Sequence, residues 1–78
     1  MSINLEYFRV FYHVATQCNI SKAAQLMFLS QPTVSNQLRA LEKQIGYSLF
    51  YRLPRGVEFT PEGMFLFNEI APAIKDLL

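Results

Sequence analysis

The stretch from Ser30-Gln31-Pro32 to Ile45-Gly46 constrains the fold most, because it carries a start signal, a stop signal and a single apolar stripe. Ser30 is suited to accept an orphan backbone N–H, and Pro32 falls in the first turn, where its missing N–H costs nothing. Gly46 suits the residue just past the end. At about 100° per residue, Val34, Leu38, Leu41 and Ile45 share one face. Pro32, Asn36, Arg39 and Lys43 point to the opposite side, with Thr33 and Ser35 on its flanks. Such a helix packs by one stripe and offers water, or a ligand, a row of polar groups.

The segments around it supply what that stripe packs on. From Asn4 to about Gln17, Leu5, Phe8, Phe11, Tyr12 and Ala15 recur at helical spacing, and Tyr7, Val10 and Val14 add a second stripe beside them. A helix apolar around so much of its circumference calls for cover on two sides. Asn19 and Ser21 break the pattern, and Ser21 is read as the N-cap of a short helix from Lys22 to about Phe28. Ala23 and Ala24 give that helix a small face that a neighbour can approach closely, and Phe28-Leu29 interrupts it.

Beyond Gly46, Leu49–Leu53 reads as a strand, Pro54-Arg55-Gly56 as a turn and Val57–Thr60 as a returning strand. Together they predict a small β-hairpin, or wing. Thr60-Pro61-Glu62-Gly63 repeats the helix-start logic. In the helix that follows, Phe67, Ile70, Ile74 and Leu77 have the spacing of a coiled-coil seam, and Pro72 is expected to kink it. That seam can pack on the first helix of the same chain or on a second copy, and the doubled stripe of the first helix favours the copy. The fold class is therefore mainly α with a small β-hairpin wing: a winged helix-turn-helix over residues 1–60 and a linker or dimerisation helix over 61–78. No stop signal closes the last helix, so a longer protein is expected.

Length and charge narrow the function. A chain of 78 residues, 51% hydrophobic and with seven Phe and four Tyr, can build one small core but leaves little room for a deep catalytic pocket. No Ser, His and acid are spaced for catalysis, so an enzyme is not expected. Cys18 is the only cysteine and His13 the only histidine, which argues against a disulfide or a metal site, and no cofactor is expected in this domain. His13 reads as a surface residue. No apolar run approaches the roughly 18 residues of a membrane span, and the N-terminus lacks a secretion signal, so a cytoplasmic setting is expected. Net charge is only +1, but residues 21–60 hold five Lys and Arg against two Glu. Residues 61–78 hold three acids against one Lys. The middle of the chain is the part suited to an anionic partner.

A short helix, a tight turn and a longer helix with a polar outer face predict double-stranded DNA as that partner. In this motif the second helix enters the major groove, and its first residues meet base edges. Gln31 and Asn36 carry amides that match the paired donor and acceptor of adenine, Pro32 can meet a thymine methyl, and Thr33 and Ser35 can reach a base or a phosphate. Arg39 and Lys43, further along, suit phosphates, as do Ser21 and Ser30 at two helix starts, Lys22 beside the first of these, and Arg52 in the wing. Arg55 at the wing tip suits a narrow minor groove. The rival reading is a winged-helix module that binds protein and no nucleic acid; the polar outer face of the third helix speaks against it.

The same residues resemble the N-terminal domain of LysR-type transcriptional regulators. The matching elements are Ile20-Ser21-Lys22-Ala23-Ala24, Leu29-Ser30-Gln31-Pro32-Thr33-Val34-Ser35, Leu38 with Leu41-Glu42, and Ile45-Gly46. Leu49-Phe50 with Arg52, Arg55-Gly56-Val57 and Thr60-Pro61-Glu62-Gly63 complete the set in order. The resemblance implies a bacterial repressor or activator that binds an inverted repeat as a homodimer through its final helix, with Phe67, Ile70, Ile74 and Leu77 in the interface. Full-length members are commonly tetramers, and a small-molecule effector is expected only for a C-terminal domain outside these residues. By position, Gln31, Pro32, Thr33, Ser35 and Asn36 fall on the family's major-groove contacts and Arg55 on its minor-groove contact. Many members carry Arg or Lys where this chain has Asn36, which shifts the expected base from guanine toward adenine.

Overall fold

The computed structural model describes residues 4–77. Four helices and one hairpin follow in the order α1 (Leu5–Gln17), α2 (Ile20–Met27), α3 (Gln31–Ile45), β1 (Phe50–Leu53), β2 (Gly56–Phe59) and α4 (Pro61–Leu77). The strands pair antiparallel, with Phe50 opposite Phe59 and Leu53 opposite Gly56.

α1 is the spine. Val10, Phe11 and Val14 are fully buried, and α2, α3, β2 and α4 all pack against the helix. Both stripes of the sequence thus reach the core, through Phe11 and Ala15 of the first and Val10 and Val14 of the second, while Leu5 of the first is 64% exposed. α2 approaches through Ala23 and Ala24, and α3 through Val34, Leu38 and Leu41, all buried. On the other side of α1 the aromatic rings gather. Phe11 lies 5.4 Å from Phe50, 6.4 Å from Phe59 and 6.3 Å from Phe67, centroid to centroid. Phe50 and Phe59 stack across the hairpin at 5.4 Å, and Phe67 also stacks on Tyr12 at 5.8 Å. Four elements thereby share one aromatic cluster, which gives a short chain much buried area from few residues.

The expected seam of α4 packs in part inside the chain: Phe67 and Ile70 are half-buried against the core, and Ile74 is 6% exposed. The side chain of Leu77 lies outside the described residues. Pro72 lies inside α4, which runs through it as one helix.

Two readings need correction, one at a helix end and one inside α1. α2 begins at Ile20, and its N-cap is Asn19, whose Oδ1 accepts from the Lys22 N–H at 2.8 Å. Ser21 lies inside the first turn and caps nothing. Asparagine and serine cap about equally well; the chain reverses already at Cys18, in the left-handed region at φ 54°, which puts the asparagine at the start. His13 is half-buried, edge-on to Tyr12. Burial, with Arg9 adding to it and Glu6 opposing, pushes its pKa below the ordinary value.

The other caps follow expectation: Ser30 starts α3 and Gly46 ends it. Phe28 ends α2 in a left-handed conformation at φ 58°, with the Phe28 N–H bonded to the Gln25 carbonyl and the Leu29 N–H to the Ala24 carbonyl. That is the bond pair of a Schellman end, a place where glycine is the usual residue. Thr60 starts α4 and ties it to the wing: its hydroxyl donates to the Ser48 carbonyl at 2.6 Å and accepts from the Gly63 N–H at 2.9 Å. Gly63 must be glycine, since a Cβ there would lie 1.9 Å from the backbone oxygen of Leu49.

Phe28 is 96% exposed, so replacing it with glycine removes a strained φ and almost no packing. Phe28→Gly is expected to stabilise the fold by roughly 0.5–1 kcal/mol in a thermal melt. A lower Tm would overturn this account of the turn. Gly63→Ala is expected to cost about 3 kcal/mol or more, because backbone must move to admit the methyl; an unchanged Tm would contradict the close approach.

Candidate nucleic-acid interface

α3 shows its polar row as the spacing predicts. Pro32, Asn36, Arg39 and Lys43 are exposed on the side away from the buried Val34, Leu38 and Leu41. Two flanks border this row. One carries Gln31, Ser35 and Glu42 and faces the wing; by helical spacing Glu42 stands only about 20° around from Gln31. The other flank carries Thr33, half-buried, with its hydroxyl 2.8 Å from the Ser30 hydroxyl and its N–H bonded to the same oxygen at 3.2 Å. Ser30 and Thr33 are therefore engaged with each other in starting the helix.

Between the N-terminal ends of α2 and α3 and the wing runs an open groove of about 540 Å³. Asn19, Ile20, Ser21 and Gln31 line its helical side, and residues 52–57 of the wing line the other, with Arg52 and Arg55 among them. Lys22, Arg39 and Lys43 are exposed and lie outside it. The groove joins two cations to an uncapped pair of backbone N–H groups at the start of α2, an arrangement that attracts anions.

The wing is held at its root. The Val57 N–H donates to the Cys18 carbonyl at 3.1 Å, an approach that leaves no room for a side chain at Gly56, where a Cβ would lie 2.4 Å from that oxygen. Arg55 projects from the turn and is exposed. Arg52, expected to hold a phosphate, also has a partner inside the chain: its Nη2 lies 3.3 Å from Oε1 of Glu42. The other carboxylate oxygen of Glu42 accepts the Leu49 N–H at 2.7 Å. In the sequence Glu42 stands out only as a charge and as one of the residues that carry the resemblance, with no role in the wing. Its place eleven residues after Gln31, on the wing-facing flank, was the signal that singles it out. Among the described residues, no three side chains come together to ligate a metal, and no helix is long and apolar enough to cross a membrane.

Over residues 5–64 the chain matches the family described as bacterial regulatory helix-turn-helix protein, lysR family. It is similar to an uncharacterised HTH-type transcriptional regulator of Methanocaldococcus jannaschii, 44% identical over 78 residues, which are all of this chain and 26% of that protein. It is also similar to the transcriptional activator protein LysR of Escherichia coli, 39% identical over 69 residues, 88% of this chain and 22% of that one. The chain thus spans about a quarter of the length of these relatives. Among solved structures, a BenM DBD/catB site 1 DNA complex superposes with a TM-score of 0.89 at 31% identity, covering 96% of this chain and 84% of that one. Full-length CbnR complexed with its target DNA gives 0.87 at 29% identity, over 94% of this chain and 25% of that one. Its wing, its capped third helix and its matched residues place this chain in the LysR family of helix-turn-helix transcriptional regulators, a family of regulators and not of enzymes.

Proposed function

We propose that this domain binds double-stranded DNA sequence-specifically as part of a transcriptional regulator working in the cytoplasm, with α3 in the major groove and the wing beside the minor groove. The observation that carries the proposal is the uncovered polar row of α3 next to a groove lined by Arg52 and Arg55. A row that served only to keep the helix in water would not need a second cationic element on its flank.

In this reading Gln31, Pro32, Ser35 and Asn36 meet base edges, with Thr33 nearby, and Arg55 enters the minor groove. Ser21, Lys22, Ser30, Arg39, Lys43 and Arg52 hold phosphates and fix the register. Two copies joined through α4 bind an inverted repeat. With Ile74 already buried and Phe67 half-buried, the exposed Met64 and Phe65 of α4 extend the surface available to the second copy. Residues 61–78 act as the linker between this domain and the rest of the regulator, and any small-molecule effector acts through a C-terminal domain beyond these residues.

The test begins with selection of preferred sites from random DNA, followed by affinities for the selected site and for random sequence. Gln31→Ala and Asn36→Ala are each expected to lose about 1–3 kcal/mol on the selected site and little on random DNA. Equal losses on both would remove the base-reading role. Arg55→Ala is expected to weaken sites with A·T-rich flanks more than G·C-rich ones, and equal weakening would contradict minor-groove insertion. Binding that does not fall with salt would favour a protein partner over DNA, since phosphate contacts release counterions.

A further inference from the structure

Glu42 is an acid on the wing-facing flank of α3, against the groove-lining Arg52, where a negative charge works against an anionic ligand. Its surroundings explain why it is tolerated. The side chain is 14% exposed, and a carboxylate so far out of water needs partners for both oxygens. Oε2 takes the N–H of Leu49, a fully buried residue at the foot of the wing, so the carboxylate is fixed by backbone. Oε1 is left pointing to Arg52, whose Nη2 is 3.3 Å away.

Arg52 presents one of its five N–H donors to that oxygen. Its side chain is 30% exposed and lines the groove that also holds Ser21, Gln31 and Arg55. That one bond restrains the end of the side chain and leaves the remaining donors of the guanidinium for a second acceptor. We propose that Glu42 is a positioning residue for DNA binding: it holds the Arg52 guanidinium beside the groove with its remaining donors available to a backbone phosphate. This inference rests on the DNA-binding reading above. The long arginine side chain gives up its rotamer freedom on folding, so less of that freedom is lost when the phosphate arrives.

A double-mutant cycle on the 78-residue chain tests this, with affinities for the selected site measured across salt and Tm measured for each variant. Arg52→Gln removes the cation. Glu42→Gln removes the charge but keeps an amide oxygen for the Leu49 N–H. Arg52→Gln is expected to flatten the slope of log affinity against log salt by about 0.9, equivalent to about threefold less loss over a fourfold rise in salt. Glu42→Gln is expected to weaken binding while the fold persists, and to add nothing once Arg52 is gone. Arg52→Lys keeps the charge without the fork; it is expected to keep the wild-type slope and to be insensitive to Glu42→Gln. An unchanged slope in Arg52→Gln would overturn the proposal, as would losses from the two sites that simply add. Tighter binding by Glu42→Gln would also overturn it, by making Glu42 a competitor of the phosphate. If the wild-type chain shows no salt-dependent DNA binding, the DNA-binding reading itself fails. If it does bind and the cycle is additive, only the role of Glu42 fails.

Discussion

A hairpin of two four-residue strands does not hold its shape alone in water, so the position of the wing depends on what fastens its root. Three polar attachments do this. Cys18 accepts the Val57 N–H, Glu42 accepts the Leu49 N–H, and Thr60 bonds to the Ser48 carbonyl while its own N–H reaches the Leu49 carbonyl. They come from the α1–α2 corner, from α3 and from the start of α4. Every element that borders the groove is therefore fastened to the hairpin, and Arg55 is carried at a fixed offset from α3. Mainly apolar packing would locate the wing less sharply, because the hydrophobic effect is non-directional.

The apolar side of the same hairpin closes the core. Phe50 and Phe59 sit opposite each other in the ladder, and their stacked rings meet Phe11 of α1. The hairpin is thus sided: the rings face inward, and the Tyr51–Glu58 pair faces outward. α1 serves both parts of the domain, with Val10 and Val14 fully buried and Phe11 among the rings. This answers the expectation that its doubled stripe needed cover on two sides. Much of that cover is found within one chain, where Phe67 and Ile70 are half-buried against the core and Ile74 is buried.

What was legible in the sequence was local. α3 could be bounded and its exposed face assigned because its start, stop and stripe all lie within one stretch. The hairpin and the start at Thr60 were legible for the same reason. The misreadings turn on longer-range facts. Asn19 and Ser21 are both good caps, and only the turn at Cys18 distinguishes them. Leu5 fits a helical stripe whose outer end runs past its neighbours into solvent. The ion pair between Arg52 and Glu42, ten residues apart, forms across the connection from α3 to β1. Pairings across a turn of that length have no periodicity to announce them.

The helix starts divide the work further. In α3, Pro32 has no N–H, Thr33 gives its own to Ser30, and the Val34 N–H goes to the Ser30 carbonyl. Only the N–H of Gln31 remains from the first turn, so this end has little left for an anion. In α2, Lys22 and Ala23 donate to Asn19, which leaves the N–H groups of Ile20 and Ser21. Those two residues line the groove together with Arg52 and Arg55. The dipole and free donors suited to a phosphate are therefore concentrated at α2, a difference between Ser21 and Ser30 that sequence position alone does not reveal. The start of α3, with its own donors occupied, is the end better suited to side-chain recognition by Gln31, Ser35 and Asn36.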